Sequence, residues 1–358
     1  MKAINLSEDM NPQAREPFRW IADRTDPRIQ WRCLSTVQFP RLNRLRKPYL
    51  ARYLTALRGV WLARRGQADL LVTHGTLMAV WVGLFKRLLG VRTPHLAWGF
   101  TLPYWDQHGR LRNQIIRLGV RNVDRFVMFS MIETRNYPRY LDLPPDRFRM
   151  VVWSVDRPPV DEQAPPIVPG RYVAAIGREG RDYRTLIDAV RDLPEVKLAV
   201  VASPHNLEGI DIPDNVQVFT DIPYGDAMNI AYNSAFMVLP LLSDTIPCGH
   251  GSLLSQFLLG KATIVTDSVA MEGYSFPGEN VLTYRVRDPQ SLREQILTLW
   301  HDPALADRLA ANALHFAETR CDARYTVDYF HGYLREKGLL NDAGQGGEPE
   351  ELAAQGAS

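Results

Sequence analysis

Two stretches of this sequence combine residue types and spacings that suit binding of an anion. The first is Cys248-Gly249-His250-Gly251-Ser252-Leu253-Leu254-Ser255-Gln256-Phe257-Leu258-Leu259-Gly260-Lys261, running on into Ala262-Thr263-Ile264-Val265-Thr266-Asp267. It reads as a glycine loop, a short helix with Ser252 as N-cap and Gly260 at its stop, then a buried strand. Glycines ahead of a helix let the backbone turn tightly, and a helix N-terminus with free amides is a phosphate site. Alone, the stretch is also what an ordinary helix start in an α/β domain looks like. The second is Gly177-Arg178-Glu179-Gly180-Arg181-Asp182-Tyr183-Arg184-Thr185-Leu186-Ile187-Asp188-Ala189. A strand ends at Gly177 and a helix begins near Asp182. Arg178 and Arg181 stand between them, and guanidinium pairs bidentately with phosphate oxygens. A cleft with helix amides on one wall and two arginines on the other suits a diphosphate.

Such a cleft needs two walls. A chain of 358 residues has length for about two cores. Strand and helix alternate from Met1–Leu6 to Phe148–Val152, with helices expected at Asn11–Arg24, Arg41–Arg65, Leu77–Leu89, Leu111–Arg121 and Glu133–Leu141. Arg157–Gly170 then holds Pro158, Pro159, Pro165, Pro166 and Pro169, the composition of a linker. The alternation restarts at Tyr172–Ile176 and closes with helices at Ser291–Trp300, Pro303–Arg320 and Thr326–Glu336. The expected fold is α/β, with two doubly wound Rossmann-like domains facing each other across a cleft. Residues 1–157 form the first domain, 158–170 the linker, 171–320 the second domain, 321–340 a closing helix and 341–358 a disordered tail. Ligands of such sheets bind at the carboxyl ends of the strands.

Composition narrows the partners. Residues 1–160 hold 27 Lys and Arg against 12 Asp and Glu, while the rest holds 15 against 28, so the first half is built to meet something anionic. The nucleic-acid reading rests on that charge alone, since no helix-turn-helix, zinc or single-strand-binding motif accompanies it. In Arg41–Arg65 a stripe of Leu50, Leu54, Leu57 and Trp61 runs among seven or more basic residues, the pattern of a helix lying in a bilayer interface, although a core-facing helix needs the same leucines. No apolar run spans a bilayer and Met1–Arg19 lacks a signal-peptide pattern. Cys33, Cys248 and Cys321 show no metal or disulfide spacing. A cytoplasmic protein, peripheral on the inner membrane face, is the expectation.

In order and spacing these pieces resemble the GT-B glycosyltransferases, specifically the large retaining family 4. The resemblance runs through Asp146–Val152 and Val155-Asp156, Gly177-Arg178 with Arg181 in the Lys place, Gly249-His250-Gly251, Gly260–Asp267, and Gly278-Glu279-Asn280-Val281-Leu282. It covers about residues 68–340. It implies transfer of a sugar from a nucleoside-diphosphate sugar of UDP or GDP type, with no cofactor, to a saccharide or lipid-linked acceptor. Arg181, Arg178 and the amides of His250 to Ser252 would stabilise the departing diphosphate. The base would lie near Ser203 and Ile222, and Glu279 takes the place of a family loop residue. The family's paired glutamates are missing. Aligned on the glycines, Cys248 and Gln256 stand in their places; aligned on Gly260-Lys261, Pro247 and Ser255 do. Gln256 or Ser255 is then the neutral partner of the ribose. The His expected after the fourth strand is replaced by Trp98-Gly99. No Asp-x-Asp occurs, so no metal clamp is expected. Were the reaction inverting, Asp106 or His108 would be the base. A non-catalytic GT-B module and a nucleotide-sugar epimerase are the alternatives.

Overall fold

The computed structural model describes residues 1–7, 24–39, 42, 48–102, 105 and 109–341. Most of the helix expected at Asn11–Arg24, the tail beyond 341, and Asp106 and His108 lie outside these residues.

Two six-stranded sheets organise the chain, and every ladder in both is parallel. The first holds β1 (Lys2–Ser7), β2 (Gln30–Ser35), β3 (Leu70–His74), β4 (His95–Trp98), β5 (Arg125–Met128) and β6 (Phe148–Met150), in the order β2-β1-β3-β4-β5-β6. The second holds β7 (Val173–Ile176), β8 (Leu198–Ala202), β9 (Val216–Thr220), β10 (Phe236–Leu239), β11 (Thr263–Thr266) and β12 (Leu282–Tyr284), in the order β12-β11-β10-β7-β8-β9. The central strands are short buried runs such as Leu-Leu-Val-Thr-His and Phe-Met-Val-Leu, as sheets covered on both faces require. Strand β12 was not among the strands expected from the sequence.

Helices α1 (Pro48–Arg64), α2 (Thr76–Leu89), α3 (Arg110–Val120) and α4 (Met131–Leu141) cover the first sheet. Helices α5 (Tyr183–Val190), α6 (Tyr224–Asn233), α7 (His250–Leu258), α8 (Pro289–His301) and α9 (Pro303–Arg320) cover the second. Helix α10 (Ala323–Glu336) crosses back: Phe330, Tyr333 and Leu334 pack with Ala3, Leu70 and Leu96, and Glu336 pairs with Arg125 at 2.6 Å. In α1 the core face is made mostly by small residues, Ala51, Ala56, Val60 and Ala63, with Leu62 beside them, which lets the helix lie close to the sheet. The larger Leu54, Leu57 and Trp61 are turned outward.

The carboxyl edges of the two sheets meet at one seam. Ser130, after β5, donates to the Ala270 carbonyl at 3.1 Å, and Tyr274 donates to the Phe129 carbonyl at 2.7 Å. Arg135 on α4 holds the Glu272 carboxylate with two bonds of 2.6 Å. Gly273 in this loop has φ +87°, a backbone conformation that favours glycine.

Candidate functional site

Strands β7 and β10 are neighbours at the point where the second sheet reverses its order, the crevice in which open α/β sheets hold ligands. The loops leaving these strands are stitched together. Asp182 N–H donates to the Pro240 carbonyl at 2.9 Å, and Leu242 N–H to the Gly180 carbonyl at 3.1 Å. Tyr183 fixes the start of the first loop by donating to the Gly177 carbonyl at 2.7 Å. The Asp182 carboxylate caps α5, accepting from Thr185 N–H at 3.1 Å and the Thr185 hydroxyl at 2.7 Å.

Arg181 is enclosed, with 7% of its surface exposed. Its Nη1 donates to the Glu179 carbonyl at 2.8 Å and lies 3.5 Å from Cys248 Sγ, while Nη2 donates to Ser252 Oγ at 2.8 Å. These partners are neutral. Nε lies over Gly177 and has no hydrogen-bond partner among the described residues. A Cβ on Gly177 would stand 2.4 Å from that Nε, so the glycine makes room for the guanidinium. An enclosed cation with neutral partners favours an anion close by.

The second wall is the start of α7. Its N-cap is Gly249, at φ +85°, and the helix opens at His250, so the expectation that Ser252 is the N-cap is corrected. Ser252 stands one turn in, its hydroxyl taken by Arg181. The first helical bond, Leu253 N–H to the Gly249 carbonyl at 2.8 Å, leaves the amides of His250, Gly251 and Ser252 ahead of the intrahelical ladder. The helix dipole adds positive potential there. A Cβ on Gly249 would press on Leu241 at 2.9 Å, whereas one on Gly251 would meet nothing within 4 Å, so packing does not require the second glycine.

The other expected residues separate into two groups. Arg178 is exposed on the loop after β7. Ser203 and Ile222 follow β8 and β9 on the same carboxyl edge, half-buried, with Ser203 N–H held by Asn206 Oδ1 at 3.3 Å. Ser255, half-buried, donates to the Gly251 carbonyl at 2.8 Å. Gln256 is turned inward, 3% exposed, and its Oε1 accepts from Thr263 at 3.2 Å. Gln256 is thus committed to the core, and the Ser255 hydroxyl to its own helix. Glu279 stands just ahead of β12, at the amino end of a parallel strand, with its carbonyl held by Asn312 at 2.9 Å. That end is opposite to the edge bearing Arg181, which removes Glu279 from the site. The His250 ring is 4% exposed, and its Nε2–H donates to the Ala270 carbonyl at 2.8 Å. Burial pushes its pKa down, so the ring is neutral and structural, and its contribution to the site is its amide.

Sequence reasoning missed Tyr274, which joins the two domains. Its ring lies 4.6 Å from that of His250, and its hydroxyl accepts from the backbone N–H of Trp153 at 2.9 Å. It also missed Glu133, buried near the start of α4, where burial pushes its pKa up to about 7. Tyr137 donates to Glu133 at 2.7 Å and accepts from Leu102 N–H at 2.7 Å. Neither lies in a motif, and both are brought to the seam only by the fold.

Across the seam, the ends of β3, β4 and β5 and the segment 153–156 enclose a cavity of about 460 Å³, lined among others by His74, Trp98, Phe129 and Trp153. Burial holds the His74 pKa down at about 3.

Residues 13–152 match the family described as a glycosyl transferase 4-like domain. A comparison with curated proteins finds no match. Among solved structures, the chain is similar to HepE of Anabaena in complex with UDP, at 14% identity and TM-score 0.70, covering 94% of this chain and all of that one. It is similar to sucrose-phosphate synthase from Thermosynechococcus elongatus at 16% identity and TM-score 0.70, covering 95% and 100%. A glycosyltransferase from Rickettsia africae aligns at 10% identity and TM-score 0.67, covering 95% and 99%. The chain has the GT-B fold, and its residues 13–152 carry a glycosyl transferase 4-like pattern, which of the sequence motifs includes Asp146–Val152.

Proposed function

We propose that the protein transfers a sugar from a UDP- or GDP-type nucleotide sugar to a saccharide or lipid-linked acceptor, without a divalent metal and with retention of configuration. The observation that carries this is the meeting of enclosed Arg181 with the free amides of α7 at the reversal point of the second sheet. In the reaction the C–O bond from the sugar to the diphosphate breaks and one from the sugar to the acceptor oxygen forms. Arg181, Arg178 and the amides of His250, Gly251 and Ser252 offset the charge growing on the leaving diphosphate. With retention, that diphosphate is itself the acceptor of the proton, and the chain need supply no base. The HepE structure that this fold resembles contains UDP, which supports the nucleotide class. A thermal-shift screen of nucleoside diphosphates and nucleotide sugars tests the binding step, because a ligand raises apparent stability by mass action. UDP or GDP is expected to raise Tm, and no shift with any of them contradicts the proposal.

Gly251→Ala separates ligand approach from packing. Alanine is about 1 kcal/mol better than glycine in a helix, and nothing in the protein obstructs its methyl. The variant is expected to be as stable as wild type or more so, yet to bind nucleotide more weakly by calorimetry. Equal nucleotide affinity would remove the α7 amides from the site. Metal independence rests on the absence of Asp-x-Asp. Transfer should persist in EDTA; transfer that stops and returns with magnesium or manganese counts against it.

We further propose that the first domain docks on an anionic membrane face. Leu54, Leu57 and Trp61 of α1 and Leu111, Ile115 and Leu118 of α3 are exposed, and neither helix contains an acidic residue. Arg65 stacks on the exposed Trp61 ring at 3.7 Å. Each Lys or Arg at such a surface contributes about 1 kcal/mol. Co-sedimentation with anionic vesicles that weakens with salt is expected, and equal binding to neutral vesicles, or none to either, removes the claim.

A further inference from the structure

Cys248 stands at the junction of the two phosphate elements. It precedes Gly249, the N-cap of α7, and so comes directly ahead of that helix's free amides. Its Sγ lies 3.5 Å from Arg181 Nη1 and donates to the Glu179 carbonyl at 3.6 Å. The loop after β7 folds against the sulfur: a Cβ on Gly180 would stand 2.8 Å from Sγ. The thiol is half-buried and so partly open to solvent. The other two cysteines differ. Cys321 is 2% exposed, and burial pushes its thiol up to about 12. Cys33, half-buried, belongs to β2 in the first domain.

What sets Cys248 apart is Arg181. That guanidinium is 7% exposed, its Nε has no partner among the described residues, and its Nη1 is turned to the sulfur. A partly open thiol beside a cation has the surroundings that distinguish reactive cysteines from inert ones.

We propose that Cys248 is a site of reversible S-thiolation by small disulfides that carry carboxylates, and that the mixed disulfide closes the nucleotide site. In the step, the Cys248 thiolate attacks one sulfur of the disulfide. The S–S bond of the reagent breaks and a bond from Cys248 Sγ to the attacked sulfur forms. The other sulfur leaves as a thiolate, and the Cys248 proton passes to solvent. Cys248 is oxidised and the departing sulfur is reduced. Carboxylates on the incoming group meet the same guanidiniums and α7 amides that a diphosphate would use, so the two compete for one place. The reactivity of Cys248 follows from its own surroundings; the exclusion of nucleotide rests on the placing of the diphosphate above.

The probes are two disulfides, the dianionic dithiobis(nitrobenzoate) and the uncharged dithiodipyridine. Each rate is divided by that of the same reagent on the protein unfolded in urea, and peptide mass spectrometry identifies the cysteine labelled. Cys248 is expected to react first, with a several-fold preference for the anionic reagent that falls in Arg181→Ala. Rising salt should shrink the preference as well, and it replaces that variant if the variant does not fold. Saturating UDP or GDP should slow labelling of Cys248. Labelled protein should lose nucleotide affinity by calorimetry and regain it with dithiothreitol, whereas in Cys248→Ser the reagent should leave the affinity unchanged. A Cys248 that stays unlabelled, or that shows no anionic preference, overturns the modification site. Full nucleotide affinity in protein labelled at Cys248 overturns the closure. If Cys248 shows the anionic preference while unlabelled protein binds neither UDP nor GDP, the modification site stands and the nucleotide reading is what fails.

Discussion

Arg181→Ala is expected to weaken UDP or GDP binding by about 1.5–3 kcal/mol, the scale of a charged hydrogen bond, or about 10- to 150-fold in Kd. The group is enclosed, its hydrogen-bond partners are neutral, and its Nε is unpartnered among the described residues, which suits an anionic ligand. Because Ser252 and the Glu179 carbonyl lose a donor in that variant, a second one isolates position from charge. In Gly177→Ala the guanidinium remains, but its Nε must leave the place it holds over the glycine, since a Cβ there would sit at 2.4 Å. Both variants should lose nucleotide affinity, the second by less. Isothermal titration with UDP and GDP measures both, and unchanged affinity in Arg181→Ala would remove it from the site.

Folding stability should fall as pH rises from about 4.5 to about 7, through Glu133. In the unfolded chain this carboxyl releases its proton near 4.5, whereas burial keeps it protonated in the folded protein up to about 7. Below that window both states hold the proton and the residue is neutral in its effect. Across it only the unfolded state ionises freely, and above it the folded state carries a desolvated carboxylate, a loss of about 3 kcal/mol in total. Glu133→Gln keeps an acceptor for the Tyr137 hydroxyl and never ionises. Its Tm should match wild type near pH 4 and exceed it by several degrees near pH 8. A constant difference across that range would mean that Glu133 does not change its charge there.

The architecture was legible where the chain is regular. The alternation of short apolar strands with amphipathic helices marks two parallel sheets, because strands buried on both faces must be continuous apolar runs and parallel crossovers need helices. The phosphate elements were legible because glycines and arginines stand beside strand ends. What failed depends on direction in space. Ser252 looks like an N-cap, but Gly249 already holds the left-handed turn. Gln256 and Ser255 are adjacent in sequence, and only the rotation of α7 decides which faces the core. Glu279 matches a family loop in sequence, yet a parallel strand puts it at the wrong end. In α1 the leucines and Trp61 suited either a bilayer interface or a core face, and only packing on the sheet shows that Leu54, Leu57 and Trp61 are turned outward. The aromatic cavity was illegible because Trp98, Phe129 and Trp153 come from three separate crossings of the first sheet.

The most direct test of the transferase reading is release of nucleoside diphosphate from UDP- and GDP-sugars, measured by a coupled assay with and without saccharide and lipid-linked saccharide acceptors. The account predicts release that rises well above the hydrolytic background only when an acceptor is present, and that is abolished in Arg181→Ala. Tight nucleotide-sugar binding with no acceptor-dependent release would identify a binding module, and interconversion of the nucleotide sugar without release would identify an epimerase; either result contradicts the account.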